Sequence, residues 1–313
     1  MKRYENSFKS DIQMGKNIIK LLTIILIGII MYLGSGIIKQ KRMLKAESIR
    51  ASSEVKLNKL NEQFPTTNYV NVDKVTGVME YGSPTMMITI DPIVKTKPNL
   101  RIWVSNIRVK EASQIKSAFA GEEFSLKNRE KTSEMAAEHG AVFAVNGAAY
   151  GFNEKSFVIR DGILYRETSL DCAPLIIKNN GDFEIFNYGE KTGEEIIAMG
   201  GMHTYDFGPD LIKDGKIVDY GNGWYKEDKN PRTAIGQKGP LEYVVIVADG
   251  RNKESEGVTF YDLALEFQRL GCKWAYALDG GGSTTLYFNG NVINTPSDWN
   301  GEREVSDILY FGN

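Results

Sequence analysis

The chain has 313 residues and a net charge of −2, and 42% of its residues are hydrophobic. This composition is ordinary for a folded protein, and the length is sufficient for one large domain or two small ones. Because no dense cluster of Lys and Arg follows the N-terminal region, the sequence argues against a nucleic-acid-binding protein, which needs a basic face. The sequence contains two histidines, which likewise argues against a multi-histidine metal site.

The N-terminal region contains an uncharged, apolar segment of 18 residues, 21–38, between Lys20 and Lys39. This is close to the length that crosses a bilayer, and the flanking lysines can extend to the interfaces, so a transmembrane anchor is predicted over 17–38. A cleaved signal peptide and a buried helix are the alternatives. The apolar core is longer than that of a usual signal peptide, and no small-residue cleavage site follows. Basic residues occur on both sides, so the positive-inside rule does not orient the segment.

The anchor divides the rest of the chain. Residues 1–16 are interpreted as a cytoplasmic tail. Residues 39–65 are charged and contain no glycine, which favours a solvated helical stalk that ends at Pro65. A globular domain is then expected over 66–313.

Short hydrophobic periods separated by turn residues predict the elements of this domain. Strands are predicted over 86–90, 100–109 and 141–145, and a helix over 131–139 that ends at Gly140. Hairpins are predicted across Asp161-Gly162 and Asn180-Gly181.

The C-terminal half has clearer patterns. The apolar run 242–248 predicts a central strand that is buried on both faces. Thr259 and Asp262 match a capping box at the start of a helix that Gly271 ends, and a second apolar strand follows over 274–278. This strand–helix–strand order predicts a parallel pair with a right-handed crossover. The expected fold class is therefore α+β or α/β, with a mixed β-sheet core flanked by helices.

Two aspartates follow these strands directly. Asp249 comes after the first strand and Asp279 after the second, so both are expected at the same edge of the sheet, where open α/β sheets bind ligands.

Asp279 opens the sequence DGGGSTT, in which Gly280, Gly281 and Gly282 precede hydroxyl side chains. Glycines allow a close backbone approach, and consecutive N–H groups can form an anion-binding nest. A tight turn with a helix cap is the alternative. Within this loop, Ser283 and Thr284 are candidate ligands for phosphate or sugar oxygens.

Further candidates come from other turns. Arg232 in NPRTAIG offers a planar fork that suits phosphate, although a surface salt bridge is the simpler interpretation. Asn146 ends a strand and is a candidate ligand for a sugar hydroxyl or a metal-bound water. Tyr150 is a candidate wall for a pyranose ring, and Arg160 is a further cationic candidate. Core packing and surface exposure are the respective alternatives.

The cysteines and the metal content stay open at this stage. Cys172 and Cys272 lack metal-ligand spacing and either form a disulfide or are small buried side chains. Asp-rich turns are compatible with Ca²⁺ or Mg²⁺, but no EF-hand pattern is present, and no cofactor is assigned.

Several blocks in order resemble the phosphodiester glycosidase family, whose members cleave a sugar from a phosphodiester at its anomeric carbon. The blocks are residues 144–151, 157–166, 230–236, 244–251, 257–290 and 302–310, of which NPRTAIG and DGGGSTTL are the most specific. The resemblance implies a pocket formed by Asn146, Arg232, Asp249, Asp279, Gly280, Gly281 and Ser283. It also implies an extracytoplasmic site, and hence an anchor with its N-terminus inside. Ala148, Ala149 and Thr284 depart from the family pattern.

The expected chemistry follows from the substrate that the resemblance implies. A phosphate monoester is a good leaving group, so the site must mainly stabilise phosphate charge and an oxocarbenium-like carbon. Arg232 and the loop amides suit the first task. Asp279 is the expected catalytic carboxylate, and Asp249 its partner or a cation ligand. The sequence thus predicts a single-pass, membrane-anchored extracytoplasmic hydrolase that acts on a cell-envelope glycan or exopolysaccharide. A non-catalytic glycan-binding or envelope-assembly protein and a phosphodiesterase that cleaves P–O are the alternatives.

Overall fold

The structure is a computed structural model that describes residues 64–168, 172–187 and 189–312. Within these residues the α-helices are α1 (Thr132–Glu138), α2 (Gly193–Ala198) and α3 (Phe260–Arg269). The strands are β1 (Tyr69–Val72), β2 (Met79–Gly82), β3 (Met86–Thr96), β4 (Asn99–Val109), β5 (Ile115–Phe119), β6 (Glu130–Lys131), β7 (Phe143–Asn146), β8 (Ser156–Arg160), β9 (Ile163–Thr168), β10 (Leu175–Lys178), β11 (Phe183–Ile185), β12 (Gly201–Tyr205), β13 (Asp210–Lys213), β14 (Lys216–Ile217), β15 (Arg232–Gly239), β16 (Glu242–Ala248), β17 (Trp274–Ala277), β18 (Leu286–Phe288), β19 (Asn291–Val292), β20 (Glu304–Val305) and β21 (Asp307–Phe311).

The main sheet of the described region has nine strands in the order β1-β2-β3-β4-β16-β15-β17-β13-β14. Its central strand β16 is buried on both faces, as the sequence predicted. Tyr243, Val245 and Val247 enter one core, whereas Val244 and Ile246 enter the other. This alternation follows from the two-residue period of a strand, and it explains why β16 is apolar throughout.

The predicted parallel pair is wrong, because β15 lies between β16 and β17 and pairs with both in antiparallel fashion. A tight turn in which Leu241 has a φ of 59° joins β15 to β16, so β15 takes the position beside β16 that was predicted for β17. β16 and β17 still run in the same direction. The pairings of the main sheet are antiparallel throughout the described region, so the fold is mostly β with antiparallel sheets rather than a mixed-sheet α/β fold.

A second sheet, β19-β18-β7-β21-β5, packs face to face on the main sheet. Tyr243 of the main sheet contacts Phe311 of the second sheet, with ring centroids 5.5 Å apart, and Phe143 of the second sheet lies 6.0 Å from Phe311. The helix α3 covers the outer face of the main sheet through Phe267, and α1 covers the second sheet through Met135. The expected flanking helices are therefore confirmed, and the layers are helix, sheet, sheet and helix.

Smaller elements complete the described fold. A three-stranded sheet, β11-β10-β12, and the hairpin β8–β9 pack at one side, and β20 pairs with β6. The two predicted hairpins are confirmed. Their turns contain Asp161 and Gly162 with φ values of 51° and 74°, and Gly181 with a φ of 83°. Positive φ at both central residues, as at Asp161 and Gly162, is typical of a type I′ turn, whereas in the second turn the left-handed residue is Gly181.

The predicted ends of two helices are also confirmed. The Thr259 hydroxyl accepts a hydrogen bond from the Asp262 amide at 3.0 Å, and the Asp262 carboxylate accepts one from the Thr259 amide at 3.0 Å. These reciprocal bonds form the capping box of α3. Gly140 and Gly271, which follow α1 and α3, have φ values of 61° and 80°, the left-handed conformation that ends many helices.

The cysteines form no disulfide with each other, which decides the alternative that the sequence left open. Cys272 is buried in the core between α3 and the main sheet, and the Cys172 thiol donates to the Asp206 carboxylate at 2.8 Å. Among the described residues no helix has the length and apolar character needed to span a bilayer. The predicted tail, anchor and most of the stalk lie outside the described residues, which belong to a compact unit beginning at Phe64.

Candidate active site

Three predicted site residues meet at one end of the main sheet. β16 ends at Ala248 and β17 at Ala277, and they run in the same direction on either side of β15. β15 begins at this end with Arg232, which pairs with Ala248. Asp249, Asp279 and Arg232 therefore emerge at the same end, as the sequence predicted for the two aspartates.

The glycine loop, residues 279–285, runs from β17 of the main sheet to β18 of the second sheet. Gly281 has a φ of 60°, which favours glycine. A Cβ atom on Gly280 would lie 2.9 Å from the Pro231 carbonyl oxygen, and one on Gly282 would collide with the guanidinium of Arg303. At Gly280 and Gly282, a side chain would therefore displace the group that lies against the glycine.

The loop amides are used to close the loop. The Gly280 amide donates to the Asp279 carboxylate at 2.7 Å, and the Gly281 amide donates to the Pro231 carbonyl at 2.9 Å. The amides of Ser283 and Thr284 donate to loop carbonyls, each at 3.2 Å. The expected nest of available amides is therefore not formed by these four groups, and side chains must supply the main contacts to an anion.

Arg232 is the side chain best placed for that role. Its guanidinium carbon lies 3.6 Å from the ring centroid of Phe260, and its Nη2 donates to the Asp228 carbonyl at 3.1 Å. No carboxylate within the described part of the chain forms an ion pair with it. Burial lowers the pKa of Arg232 to about 10, the Asp228 carboxylate opposes this, and the charge of Arg251 adds to the decrease. The cation is still protonated at neutral pH, and a bound anion would compensate its desolvation.

Two further guanidinium groups lie along the loop. A Cβ atom on Gly281 would lie 3.1 Å from Nη1 of Arg251, and the Arg303 guanidinium borders Gly282. Arg251 donates to the Asn230 side chain at 2.8 Å, and Arg303 forms an ion pair with Asp298. Three guanidinium groups thus border the loop, and within the described part of the chain Arg303 is the one of the three that has a carboxylate partner.

Asp279 begins the loop and is held through its backbone. Its carbonyl accepts from Nδ2 of Asn146 at 2.7 Å, and its amide donates to the Gly147 carbonyl at 3.1 Å. Burial raises the pKa of the Asp279 carboxyl, while the hydroxyl of Ser283, the Gly280 amide and the charge of Arg303 oppose the increase. A partly desolvated carboxylate with a fixed backbone suits a role in proton transfer or covalent catalysis.

Asn146 supports the glycine loop from behind. Its side chain is fully buried, and its Oδ1 accepts from the Thr233 hydroxyl at 2.8 Å and from the Thr285 amide at 3.2 Å. Together with the bond to Asp279, these contacts join both sheets to the loop. Asn146 therefore positions Asp279, and this replaces the sugar or water contact that the sequence suggested.

Asp249 is connected to the other end of the loop. It is 1% exposed, and its carboxylate accepts from the Thr295 amide at 3.0 Å and from Nδ2 of Asn294 at 3.2 Å. Asn294 also donates to the Thr284 carbonyl at 3.0 Å. Burial raises the pKa of Asp249 to about 6, although the bonds from Thr295 and Asn294 oppose this. Sequence reasoning missed Asn294, because an asparagine after a short strand is typical of any turn.

The loop hydroxyls are buried. Ser283 and Thr284 are 0% and 1% exposed. Ser283 faces Asp279 closely enough to lower the pKa of that carboxyl. The Thr284 hydroxyl oxygen is itself buried and has no hydrogen-bond partner in the described part of the protein.

Arg160 and Tyr150 do not border the loop in the expected way. Arg160 is buried, forms an ion pair with Asp307, and lies 4.5 Å from the ring centroid of Tyr205. Tyr150 is fully buried and donates to the Ser306 carbonyl at 3.2 Å. Both side chains therefore pack in the core, and their contact with substrate stays a prediction.

A separate cavity of about 500 Å³ lies beside β5 and is lined by residues that include Arg160 and His203, but by none of the glycine-loop residues. Burial lowers the pKa of His203 to about 3, and the charge of Arg160 contributes. His203 is therefore neutral at physiological pH, and it borders this cavity, whose lining contains no residue of the glycine loop. Across the described residues, no three His, Cys, Asp or Glu side chains come together as a metal site, so no ligand set for Ca²⁺ or Mg²⁺ is found there.

The chain is similar in sequence to known proteins. The chain is 32% identical over 194 residues to the SPbeta prophage-derived uncharacterized protein YomE of Bacillus subtilis, which covers 59% of this chain and 30% of that protein. It is 34% identical over 84 residues to human N-acetylglucosamine-1-phosphodiester alpha-N-acetylglucosaminidase, which covers 25% of this chain and 16% of the enzyme. The matches thus span less than a third of these relatives.

Solved structures show the same fold at low identity. The catalytic domain of zebrafish N-acetylglucosamine-1-phosphodiester alpha-N-acetylglucosaminidase, auto-inhibited by its pro-peptide, has a TM-score of 0.60 and 19% identity, over 79% of this chain and 89% of that domain. A hypothetical protein from Synechocystis has a TM-score of 0.57 and 11% identity, over 79% of this chain and 68% of that protein. The family model for phosphodiester glycosidases matches residues 139–312. Since this is more than half of the chain and contains every residue of the glycine loop, the chain belongs to the phosphodiester glycosidase family.

Proposed function

We propose that this protein is a hydrolase that cleaves a sugar 1-phosphodiester at the anomeric carbon. The observation that carries the proposal is the position of Arg232, a buried cation without a carboxylate partner in the described region, beside Gly280 of the loop that Asp279 begins. A Cβ atom on Gly280 would lie 3.7 Å from both Cα and Cδ of Arg232. A phosphodiester bound by Arg232 would thus lie beside the loop that Asp279 begins. The human relative is named for an N-acetylglucosamine 1-phosphodiester, which is the substrate class to test first.

The bond that breaks joins the anomeric carbon to the ester oxygen, and its electron pair goes to the phosphate monoester. Arg232 and Arg251 stabilise the negative charge on that leaving group. Asp279 acts either as the nucleophile that attacks the carbon or as the base that takes a proton from the attacking water. The anomer of the released sugar distinguishes these roles, because a nucleophile gives retention and a base gives inversion.

Asp249 is the second carboxylate of the proposed mechanism. With a pKa of about 6, it is ionised at neutral pH and becomes protonated within the mildly acidic range. Through Asn294 it is joined to the Thr284 carbonyl, so its protonation state affects the loop that carries Asp279. We assign it a supporting electrostatic role at the far end of the loop.

The proposed setting is the extracytoplasmic face of the cell membrane, with 17–38 as a single anchor and an envelope glycan or exopolysaccharide as the substrate. The uncharged stretch 21–38 supports the anchor. Protease treatment of intact cells and of lysed cells tests this topology. Digestion of residues 64–313 only after lysis would contradict an extracytoplasmic domain.

The activity is tested with N-acetylglucosamine 1-phosphodiesters and the full-length chain in ¹⁸O-labelled water. We expect release of N-acetylglucosamine that carries the label, and a loss of about 10³-fold or more in turnover for Asp279→Asn. Label on phosphate would instead indicate P–O cleavage. Binding without any product would indicate a glycan-binding protein. Glu184→Gln, which alters a surface carboxylate paired with Lys178 at 3.2 Å, is the matched control and should retain full turnover.

A further inference from the structure

A pair of exposed aromatic side chains lies on the loop 218–230, between β14 and β15. Tyr220 and Trp224 are 43% and 47% exposed, and their ring centroids are 5.7 Å apart. Single exposed aromatic residues are common on protein surfaces, but adjacent ones form an apolar patch that often marks a binding site. The mechanism proposed above uses neither of them.

The aromatic pair continues directly from the proposed phosphate site. The Trp224 ring packs edge-on against Phe260, with centroids 5.6 Å apart, and Phe260 lies beneath the Arg232 guanidinium at 3.6 Å. Arg232 is in turn held by the carbonyl of Asp228, a residue of the same loop. A group attached to a phosphate on Arg232 would therefore reach the aromatic pair next.

The loop holds this pair in a fixed orientation. Tyr225, which follows Trp224, is fully buried and donates to the Val218 carbonyl at 2.7 Å. The Tyr220 hydroxyl donates to the carboxylate of Asp210. Two ordered rings lose little conformational entropy when a ligand binds, which favours their use as a rigid contact surface.

The charges around the pair favour a neutral ligand group. Lys226 pairs with Asp219 at 2.9 Å, and Lys229 pairs with Glu256 at 2.8 Å. The basic side chains of this loop are thus compensated locally, in contrast to Arg232. Uncharged rings with one apolar face, such as pyranoses, stack well on aromatic rings, because their C–H groups meet the negative face of the ring.

We propose that Tyr220 and Trp224 form a stacking platform for a pyranose ring esterified to the phosphate on the side opposite the cleaved sugar. The proposal rests on the proposed function and deepens it, because it assigns the specificity for the leaving group to two residues. Diesters whose leaving group carries a sugar should therefore bind better than diesters of a small alcohol.

The test compares two substrates of the full-length chain. Both are N-acetylglucosamine 1-phosphodiesters, one with methanol and the other with the 6-hydroxyl of a methyl hexopyranoside. In the wild type we expect a lower KM for the hexosyl diester. Trp224→Ala should raise the KM for the hexosyl diester by about tenfold, with unchanged kcat and little effect on the methyl diester.

Control variants separate stacking from folding. Trp224→Phe keeps an aromatic face and should recover most of the lost affinity. Tyr165→Ala removes an aromatic side chain that is similarly exposed, at 40%, but packs against Phe119 in another part of the fold. It should leave both KM values unchanged. Thermal melting of each variant confirms that it is folded.

Two results would overturn the platform. One is an equal rise in KM for both diesters, which indicates a general disturbance of the site, and the other is no change for the hexosyl diester. If the wild type hydrolyses neither diester, the proposed function is wrong, and the platform must be tested separately. Calorimetric binding of the intact hexosyl diester then decides about the platform, because affinity that does not depend on Trp224 contradicts it.

Discussion

Arg160 and Arg232 are both buried arginines, with 3% and 9% exposure, but their surroundings differ in one respect. Arg160 forms an ion pair with Asp307 and lies over the Tyr205 ring. Arg232 lies over the Phe260 ring in the same manner, yet only carbonyl oxygens accept from it in the described region. The aromatic contact is shared, and the carboxylate is the difference.

This difference separates a structural arginine from a functional one. A buried ion pair offsets the desolvation of both charges, and loss of either partner leaves an uncompensated charge in the core. An arginine without a carboxylate keeps that desolvation cost until an anion arrives. The comparison therefore predicts that substitutions at the first site reduce stability, and that substitutions at the second site reduce binding and turnover.

The largest effect is expected at the paired arginine. Asp307→Ala should lower the free energy of unfolding by about 3–5 kcal/mol, because it leaves the Arg160 charge buried without a partner. Urea denaturation of the full-length chain measures this. Arg232→Met is the matched variant, and its unfolding free energy should stay within about 1 kcal/mol of the wild type. Equal destabilisation of the two variants would contradict the distinction.

Next in size is the catalytic effect at the unpaired arginine. Arg232→Met should lower kcat/KM for an N-acetylglucosamine 1-phosphodiester by about 10²–10³-fold, because it removes a fixed positive charge at the leaving group. Arg232→Lys should recover part of this loss, since it restores the charge without the planar fork. A variant with methionine that keeps wild-type turnover would show that Arg232 is not part of the site.

A smaller effect is expected for stability at Asp249. Its pKa is raised from 3.8 to about 6 in the folded state by burial. Well below pH 3.8 the carboxyl is protonated in both the folded and the unfolded state, so it does not affect stability there. As the pH rises from 3.8 to about 6 the unfolded state loses this proton while the native state retains it, so stability decreases across this window and the loss is complete above it.

Asp249→Asn removes this ionisation and keeps an acceptor for the Thr295 amide. The variant should therefore be more stable than the wild type by roughly 1–3 kcal/mol at about pH 8, with no gain at about pH 3. Melting temperatures of the variant and the wild type at the two pH values measure this difference in stability. A gain that is the same at both pH values would indicate a cause other than ionisation.

The smallest effect is expected at Asn294, which positions Asp249 and does not touch the substrate. Asn294→Ala removes a hydrogen bond that favours the charged form of Asp249, so the pKa of that carboxyl should rise further. The acid limb of the kcat profile should move to higher pH, and the unfolding free energy should fall by about 1–2 kcal/mol. A loss of stability with an unchanged pH profile would mean that Asn294 is purely structural.

Local patterns predicted the local structure well. The capping box of α3, the Asp161-Gly162 turn and the apolar strand β16 each depend on residues close in sequence, and each is confirmed. The insertion of β15 between β16 and β17 was not predicted, because strand order depends on long-range pairing that no local pattern encodes. The prediction that β16 and β17 end at the same edge of the sheet was still correct, since it requires only that the two strands run in the same direction.

For a similar reason, the sequence alone did not distinguish the structural role of Arg160 from the functional role of Arg232. Both occur in motifs of the family resemblance, and both adjoin apolar residues. The partner of Arg160 is Asp307, which lies 147 positions away and is brought near only by the packing of β8 and β21. That Arg232 has no such partner among residues 64–168, 172–187 and 189–312 likewise depends on how the chain folds, and so does the contact of Asn294 with Asp249.

The central claim is that Arg232, which has no carboxylate partner among the described residues, binds phosphate. Titration calorimetry with methyl phosphate, the phosphate product expected from the methyl diester, tests it most directly. The account predicts binding to the wild type that is weakened at least about tenfold in Arg232→Met and unchanged in Glu184→Gln. Equal affinity of the wild type and Arg232→Met for methyl phosphate would contradict it.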